Sequence, residues 1–266
     1  MPSFDGEHGT MFDTGAATHV GKVRLRNEDC YLVRPEAGIW AVADGMGGHE
    51  AGDLASSIVI EALQSIERPS SAADLLEQCE ERIAAANMRL KEIGRERGGV
   101  IVGATVALLL TFEDYYACVW AGDSRVYVVR EKKIVQLSQD HTEVEELLVK
   151  GVITREEAKT WRAGNALTRA IGAADDVELE ITSGPMLSGD AFVICSDGLT
   201  RHVSDDEILS HVDNGLSQEA CDRLVALTLD RGATDNVTLV VVRFQPDLAR
   251  RVAPSGSGEP GLGESA

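Results

Sequence analysis

The sequence is poor in aromatic residues and in positive charge, and it has no paired cysteines. Three tryptophans, four tyrosines and five phenylalanines leave the core to be built from aliphatic side chains. Twenty-five basic residues stand against forty-four acidic ones, a formal charge of −19 at pH 7. That balance excludes nucleic acid and an anionic membrane as the main partner. It suits a metal-binding face or a basic partner, with surface acidity for solubility as the plainer explanation. The five cysteines, Cys30, Cys79, Cys118, Cys195 and Cys221, include no Cys-x-x-Cys pair. Cys118 and Cys195 lie in apolar runs and read as small buried hydrophobes, the usage of a reducing compartment. The six histidines lack His-Glu-x-x-His or His-x-His spacing, which argues against zinc. No apolar run approaches the length of a membrane span, and Met1 to His8 lacks the layout of a signal peptide. The expectation is a cytoplasmic protein. No Pro/Gly/Ser-rich linker interrupts the chain before its C-terminus, so most of the 266 residues are expected to form one domain.

What is there is organised around Ile39-Trp40-Ala41-Val42-Ala43-Asp44-Gly45-Met46-Gly47-Gly48-His49. An apolar run reads as a buried strand and then breaks at a carboxylate followed by glycines. Glycine lets the backbone turn tightly and brings carbonyl oxygens close to whatever the carboxylate holds. An open, oxygen-rich strand end suits a hard cation. A solvated turn is the alternative, since Asp-Gly is a common turn pair. The pattern recurs at Val119 to Arg125 around Asp123 and at Phe192 to Leu199 around Asp197. At Gly232-Ala233-Thr234-Asp235-Asn236 the carboxylate precedes the apolar run Val237 to Val242. Carboxylates gathered at one sheet edge would repel one another and need cations to offset them.

In chain order, Thr18 to Arg26 alternates small or apolar with basic residues, and Cys30 to Val33 and the Asp44 strand complete an expected antiparallel meander. Leu54, Ile58, Val59, Ala62, Leu63 and Ile66 mark one apolar face of a helix. Leu76, Cys79, Ile83, Ala86, Leu90 and Ile93 mark a second, with Ser71 and Asp74 as caps and Gly94 at its end. Ile101 to Leu110, Tyr115 to Ala121, Arg125 to Arg130 and Ile134 to Leu137 are strand-like runs, and their short connections require antiparallel pairing. The segment 143–166 reads as a small helical flap, with Gly151 as a break and Thr154 to Glu157 as a capping box. Helices are expected to begin at Ser204 and Ser217, and a last strand runs from Val237 to Phe244. Residues 1–15 are expected to be a flexible N-terminus, 16–246 the domain and 247–266 a disordered tail. Helices, then an antiparallel meander, then further helices and strands describe a layered α+β domain.

The candidate ligands are all oxygens: Asp44 with a neighbouring carbonyl, Asp123, Asp197, Asp235, and Glu28 or Asp29. Hard ligands point to Mg²⁺ or Mn²⁺. Two such cations can position and deprotonate a water for attack on a phosphate ester. A bidentate arginine suits the phosphate oxygens, and Arg24 is the first candidate.

Arg24 to Asp29, Val42 to Gly48, Gly103-Ala104-Thr105, Gly122 to Arg125, Asp140-His141-Thr142, Leu167 to Gly172, Ser196 to Leu199 and Asp235 to Thr238 together resemble the ordered motifs of the metal-dependent serine/threonine protein phosphatases, the PPM or type 2C family, bacterial branch. They span residues 18–244. The resemblance implies a four-layer α-β-β-α sandwich, a central pair of antiparallel sheets flanked by helices. It implies hydrolysis of phosphoserine or phosphothreonine in proteins by a metal-bridging hydroxide, opposing a Ser/Thr kinase, with two Mn²⁺ or Mg²⁺ ions and a third position. By that resemblance Asp44 bridges two metals, Gly45 lends its carbonyl to one, and Asp197 and Asp235 complete the other. Glu28 and Asp29 act through metal-bound waters, Asp123 with Asp197 matches the third position, and Arg24 binds phosphate. Phosphorylated proteins and a cognate kinase are the implied partners of a monomer. Two departures stand out. Animal members carry a histidine directly after Asp-Gly, where this chain has Met46, with His49 three residues on, so the general acid is unassigned. Bacterial relatives often carry His-Pro in the flap, where this chain reads Trp161-Arg162-Ala163-Gly164-Asn165. Arg125 and Arg169 are expected to brace carboxylates or the fold, and Trp40 and Trp120 to be core. The rival reading is a catalytically silent pseudophosphatase acting as a regulatory binding module, against which stands the retention of every metal aspartate. A third is a phosphatase domain serving a signalling switch or a secretion apparatus.

Overall fold

Eleven strands and seven helices follow one another along the described residues in the order β1 (Phe12–His19), β2 (Asp29–Arg34), β3 (Ile39–Met46), α1 (Gly52–Gln64), α2 (Ala72–Glu96), β4 (Gly103–Ala104), β5 (Val106–Phe112), β6 (Tyr115–Ala121), β7 (Arg125–Arg130), β8 (Lys133–Gln136), α3 (Glu143–Val149), α4 (Arg155–Ala158), β9 (Glu180–Pro185), β10 (Ala191–Cys195), α5 (Asp197–Thr200), α6 (Asp205–Val212), α7 (Ser217–Asp230) and β11 (Val237–Phe244). The computed structural model describes residues 11–47, 51–158, 161, 166–213 and 215–246. His49, the segment 162–165 and the expected tail 247–266 lie outside the described residues. No helix among the described residues is long and apolar enough to cross a membrane.

The strands form two antiparallel sheets, β1-β11-β10-β7-β8 and β2-β3-β5-β6-β9, with β4 paired to β3. Unbroken apolar strands such as β5, β10 and β11 are buried on both faces because each sheet is covered twice. Between the sheets pack Trp40, Val42, Leu109, Trp120, Val126, Phe192 and Val240. The outer face of the second sheet is covered by α1 and α2 through Val59, Leu63, Leu75, Cys79, Ile83 and Leu90. The outer face of the first is covered by α5, α6 and α7 through Leu199, Ile208 and Leu224. The result is the expected α-β-β-α sandwich, and Trp40 and Trp120 are core, as their strand positions implied. The second helix starts where its caps predict: the Ser71 side chain accepts from the Asp74 amide.

Three expectations fail. Residues 12–15 are not a flexible lead but part of β1, which pairs with β11 from Phe12↔Phe244 to His19↔Val237. The alternation over Thr18 to Arg26 does not continue a strand beyond His19; the chain turns there, and β1 never joins β2 in a meander. The runs 115–121 and 125–130 do not pair with each other. The residues Gly122, Asp123 and Ser124 carry the chain from one sheet to the other, with Gly122 at φ +117°, so β6 and β7 belong to different layers. The edge strand β9 and the single turn α5 had no distinct signal: β9 alternates burial along polar residues, and α5 is shorter than two turns.

Candidate functional site

Antiparallel order brings the carboxylates together. Asp197 follows β10 and Asp235 precedes β11, and these strands pair with Cys195 opposite Leu239. Asp123 precedes β7, whose Arg125 lies opposite the same Cys195. All three therefore sit at one end of the first sheet. At the matching end of the second sheet, Asp29 opens β2 directly opposite Asp44 near the end of β3. A cleft of about 800 Å³ runs across this edge, lined among others by Arg24, Glu28, Asp44, Gly45, Asp123, Asp197 and Asp235. Every proposed ligand except Asp29 lines it; Asp29 lies buried just behind.

Hydrogen bonds tie the two sheets at this edge. Ser196 Oγ donates to Asp29 Oδ2 at 2.8 Å and accepts from the Thr238 amide at 3.1 Å. Thr105 Oγ1 accepts from the Asp44 amide at 3.1 Å and shares a 2.7 Å bond with Ser124 Oγ. The Gly45 amide donates to the Glu28 carbonyl at 3.0 Å, and a Cβ on Gly45 would lie 1.9 Å from the Gly52 carbonyl oxygen. Only glycine permits that approach.

The electrostatics are those of crowded acids. Burial, with Asp197 and Asp235 nearby, pushes Asp29 up to about 7. Burial, Asp197 and Asp140 push Asp123 up to about 7. Asp44 is raised well above the usual carboxylate range, by burial and then by Asp29, Asp197, Asp123 and Asp235. Asp197 is raised by burial, with Arg201 opposing. Glu28 is raised by burial, with Arg24 opposing. Two arginines offset part of this charge: Arg24 Nη2 donates to Asp235 Oδ2 at 2.8 Å, and Arg201 bonds both Asp197 and Asp235.

These residues fit divalent cations. The donor set is all carboxylate and carbonyl oxygen, which suits hard ions. Asp29 Oδ1 is buried with no hydrogen-bond partner, an arrangement that costs energy in the absence of positive charge. Among the described residues no three acidic, histidine or cysteine side chains make a closed cage, and the two guanidiniums lie between the acids instead.

A family model described as protein phosphatase 2C matches residues 18–237. The chain belongs to that family. Within it, the chain is 36% identical over 242 residues to the serine/threonine protein phosphatase PstP of Mycobacterium tuberculosis, covering 88% of this chain and 46% of that one. The chain thus spans about half the length of that curated relative. PppA, described as a key regulatory component of T6SS in Pseudomonas aeruginosa, superposes with a TM-score of 0.81 at 38% identity, covering 87% of this chain and 97% of that one. The catalytic domain of PstP in complex with two manganese ions superposes with a TM-score of 0.79 at 34% identity, covering 87% and 97%.

Against the family's motifs, several structural roles emerge that reading the sequence missed. Asn236 holds the loop carrying Arg24 and Glu28: its Oδ1 accepts from the Glu28 amide at 2.8 Å, and its Nδ2 donates to the Val20 and Arg26 carbonyls, each at 2.9 Å. Its place beside Asp235 was the available signal. His141, named from the sequence only as part of the Asp140-His141-Thr142 motif, fixes the Asp123 crossover. Its Nδ1 accepts from the Gly122 amide at 3.1 Å, its own amide donates to the Gly122 carbonyl at 2.9 Å, and its ring stacks on Trp120. Burial lowers its pKa, and a neutral ring with the proton on Nε2 suits both the Gly122 amide and Glu180 Oε1 at 3.3 Å. Arg125 and Arg169 brace as expected: Arg125 grips Asp140 through Nε and Nη2 at 2.8 and 2.6 Å, and Arg169 bonds Glu180 at 2.8 Å. Met46 lines the cleft where animal members carry histidine. Nothing in the sequence pointed to Arg201.

Proposed function

We propose that this chain is a metal-dependent phosphatase that removes phosphate from phosphoserine and phosphothreonine in proteins. The observation that carries the reading is the convergence of Asp44, Asp123, Asp197 and Asp235 from both sheets on one cleft beside Arg24, with Asp29 buried behind. Membership of the family and the manganese bound by the PstP domain support Mn²⁺ as the ion, with Mg²⁺ as its chemical equivalent here.

When bound, a pair of divalent cations supplies the activated water that attacks phosphorus and the positive charge that offsets the phosphoryl oxygens. Asp44, the Gly45 carbonyl, Asp197 and Asp235 would hold the pair, Asp123 with Asp197 a third, and Glu28 and Asp29 would act through water. Arg24 orients the phosphoryl group, its guanidinium offering paired donors to two oxygens. No side-chain nucleophile is required, so no phosphoenzyme forms. The enzyme would act as a monomer, opposing a Ser/Thr kinase. A secretion apparatus is a second setting for the same chemistry, favoured by the 38% identity to PppA.

The test is hydrolysis of a phosphothreonine peptide by the wild type with Mn²⁺, the wild type with EDTA, and Asp44→Ala with Mn²⁺. Turnover is expected only in the first. Metal-independent hydrolysis, or full activity in the variant, rejects the mechanism, and a wild type that binds Mn²⁺ without turnover supports the pseudophosphatase instead.

A further inference from the structure

Arg201 caps the end of α5, with its amide on the Asp197 carbonyl at 2.9 Å, so its backbone is fixed by the same turn that presents Asp197. Its side chain reaches back over the cleft. Nη2 donates to Asp197 Oδ2, and Nη1 donates to Asp235 Oδ2 at 3.3 Å. Arg24 touches only the second of these carboxylates, at 2.8 Å on the same Oδ2. Among the described residues Arg201 alone bridges Asp197 and Asp235, the two side chains that the family resemblance places together on one cation.

A bridging guanidinium and a divalent ion have the same reason to be there. Both offset the mutual repulsion of carboxylates crowded around one cleft. They cannot both sit on these oxygens, because like charges a few ångströms apart in a partly enclosed cleft repel strongly. We propose that Arg201 is a built-in counter-cation that competes with the divalent ion for Asp197 and Asp235, and so sets the affinity of the site for that ion. This inference rests on the proposed function. The exchange needs only a side-chain rotation: the Arg201 side chain is 36% exposed and lines the cleft, while its backbone stays in place. Competition through arginine also differs from competition by protons, since a guanidinium keeps its charge at every pH a protein survives.

The experiment uses the full chain and Mn²⁺ as the probe. Calorimetric titration at neutral pH compares the wild type, Arg201→Ala and Arg201→Lys, and thermal unfolding is followed in EDTA and in saturating Mn²⁺. Removing two partly exposed ion pairs is expected to tighten Mn²⁺ binding by about three- to tenfold. The same variant should unfold roughly 2–4 °C lower in EDTA, where the acids lose their counter-charge, and match the wild type in saturating Mn²⁺. Arg201→Lys should fall between, because an ammonium cannot fork across two carboxylates. Unchanged or weaker Mn²⁺ binding in Arg201→Ala, or an unchanged midpoint in EDTA, overturns the inference. Should Arg201→Ala fail to fold, the affinity of Arg201→Lys decides alone: tighter than wild type supports, equal or weaker overturns. A wild type that binds no Mn²⁺ would defeat the proposed function and this competition together, whereas a wild type that binds Mn²⁺ without hydrolysing the phosphothreonine peptide would defeat the proposed function alone, with the variants' Mn²⁺ affinities still deciding the competition.

Discussion

Asp29 and Asp44 face each other in register across the β2–β3 ladder, two carboxylates set side by side where a sheet would ordinarily place an opposite charge or an apolar pair. Asp29 is 5% exposed, and one of its oxygens has no partner. A fold does not keep such a pair for stability, since each charge raises the cost of the other.

Asp29→Asn should therefore stabilise the protein in EDTA. The amide keeps an oxygen for Ser196 Oγ and removes one buried charge, a gain of roughly 1–2 kcal/mol. Mn²⁺ affinity should fall in the same variant. Denaturant unfolding in EDTA and calorimetric titration check the two halves, and a less stable variant would contradict the picture of repulsion.

Stability in EDTA should fall as pH rises. Asp29 and Asp123 are each lifted from 3.8 to about 7 in the folded protein, so both bind a proton more tightly folded than unfolded. Their contribution is complete below the unfolded value and lost as pH climbs through the folded one, which places the decline between about pH 4 and 7. Saturating Mn²⁺ should abolish that slope, because the carboxylates then remain ionised in the folded state. Thermal midpoints across this range in both conditions give the answer.

His141→Ala should cost about 2–4 kcal/mol, the sum of a buried ring and an orphaned Gly122 amide. The loss should be accompanied by a change in Trp120 fluorescence, because the two rings stack at 6.0 Å. Chemical denaturation and emission spectra would reveal it.

Gly198→Ala sets two effects against each other. Alanine in a helix gains about 1 kcal/mol over glycine. The new Cβ would lie 1.7 Å from the Asn236 carbonyl oxygen, however, and the side chain of that residue holds the loop of Arg24 and Glu28. The clash should win by more than about 3 kcal/mol, or prevent folding, as measured by denaturant midpoint and soluble yield.

The local patterns were legible. The apolar spacing of α2 and its Ser71 cap, the two-sided burial of β5 and β11, and the aspartates at strand ends each concern neighbours within a few residues, where periodicity and turn chemistry act. From those aspartates the hard-cation chemistry followed, and the ordered motifs added the family.

Only the tertiary structure decided the rest. It paired Phe12 with Phe244, sent β6 and β7 into different sheets, and laid Arg201 across Asp197 and Asp235. Each of these joins groups by closing a loop or turning a corner, and nothing in the local periodicity of either partner records which distant strand or side chain will meet it. The sequence by itself determined which carboxylates stand as candidate ligands. The packing of two sheets determined that they meet, how far they are buried, and which arginines share them.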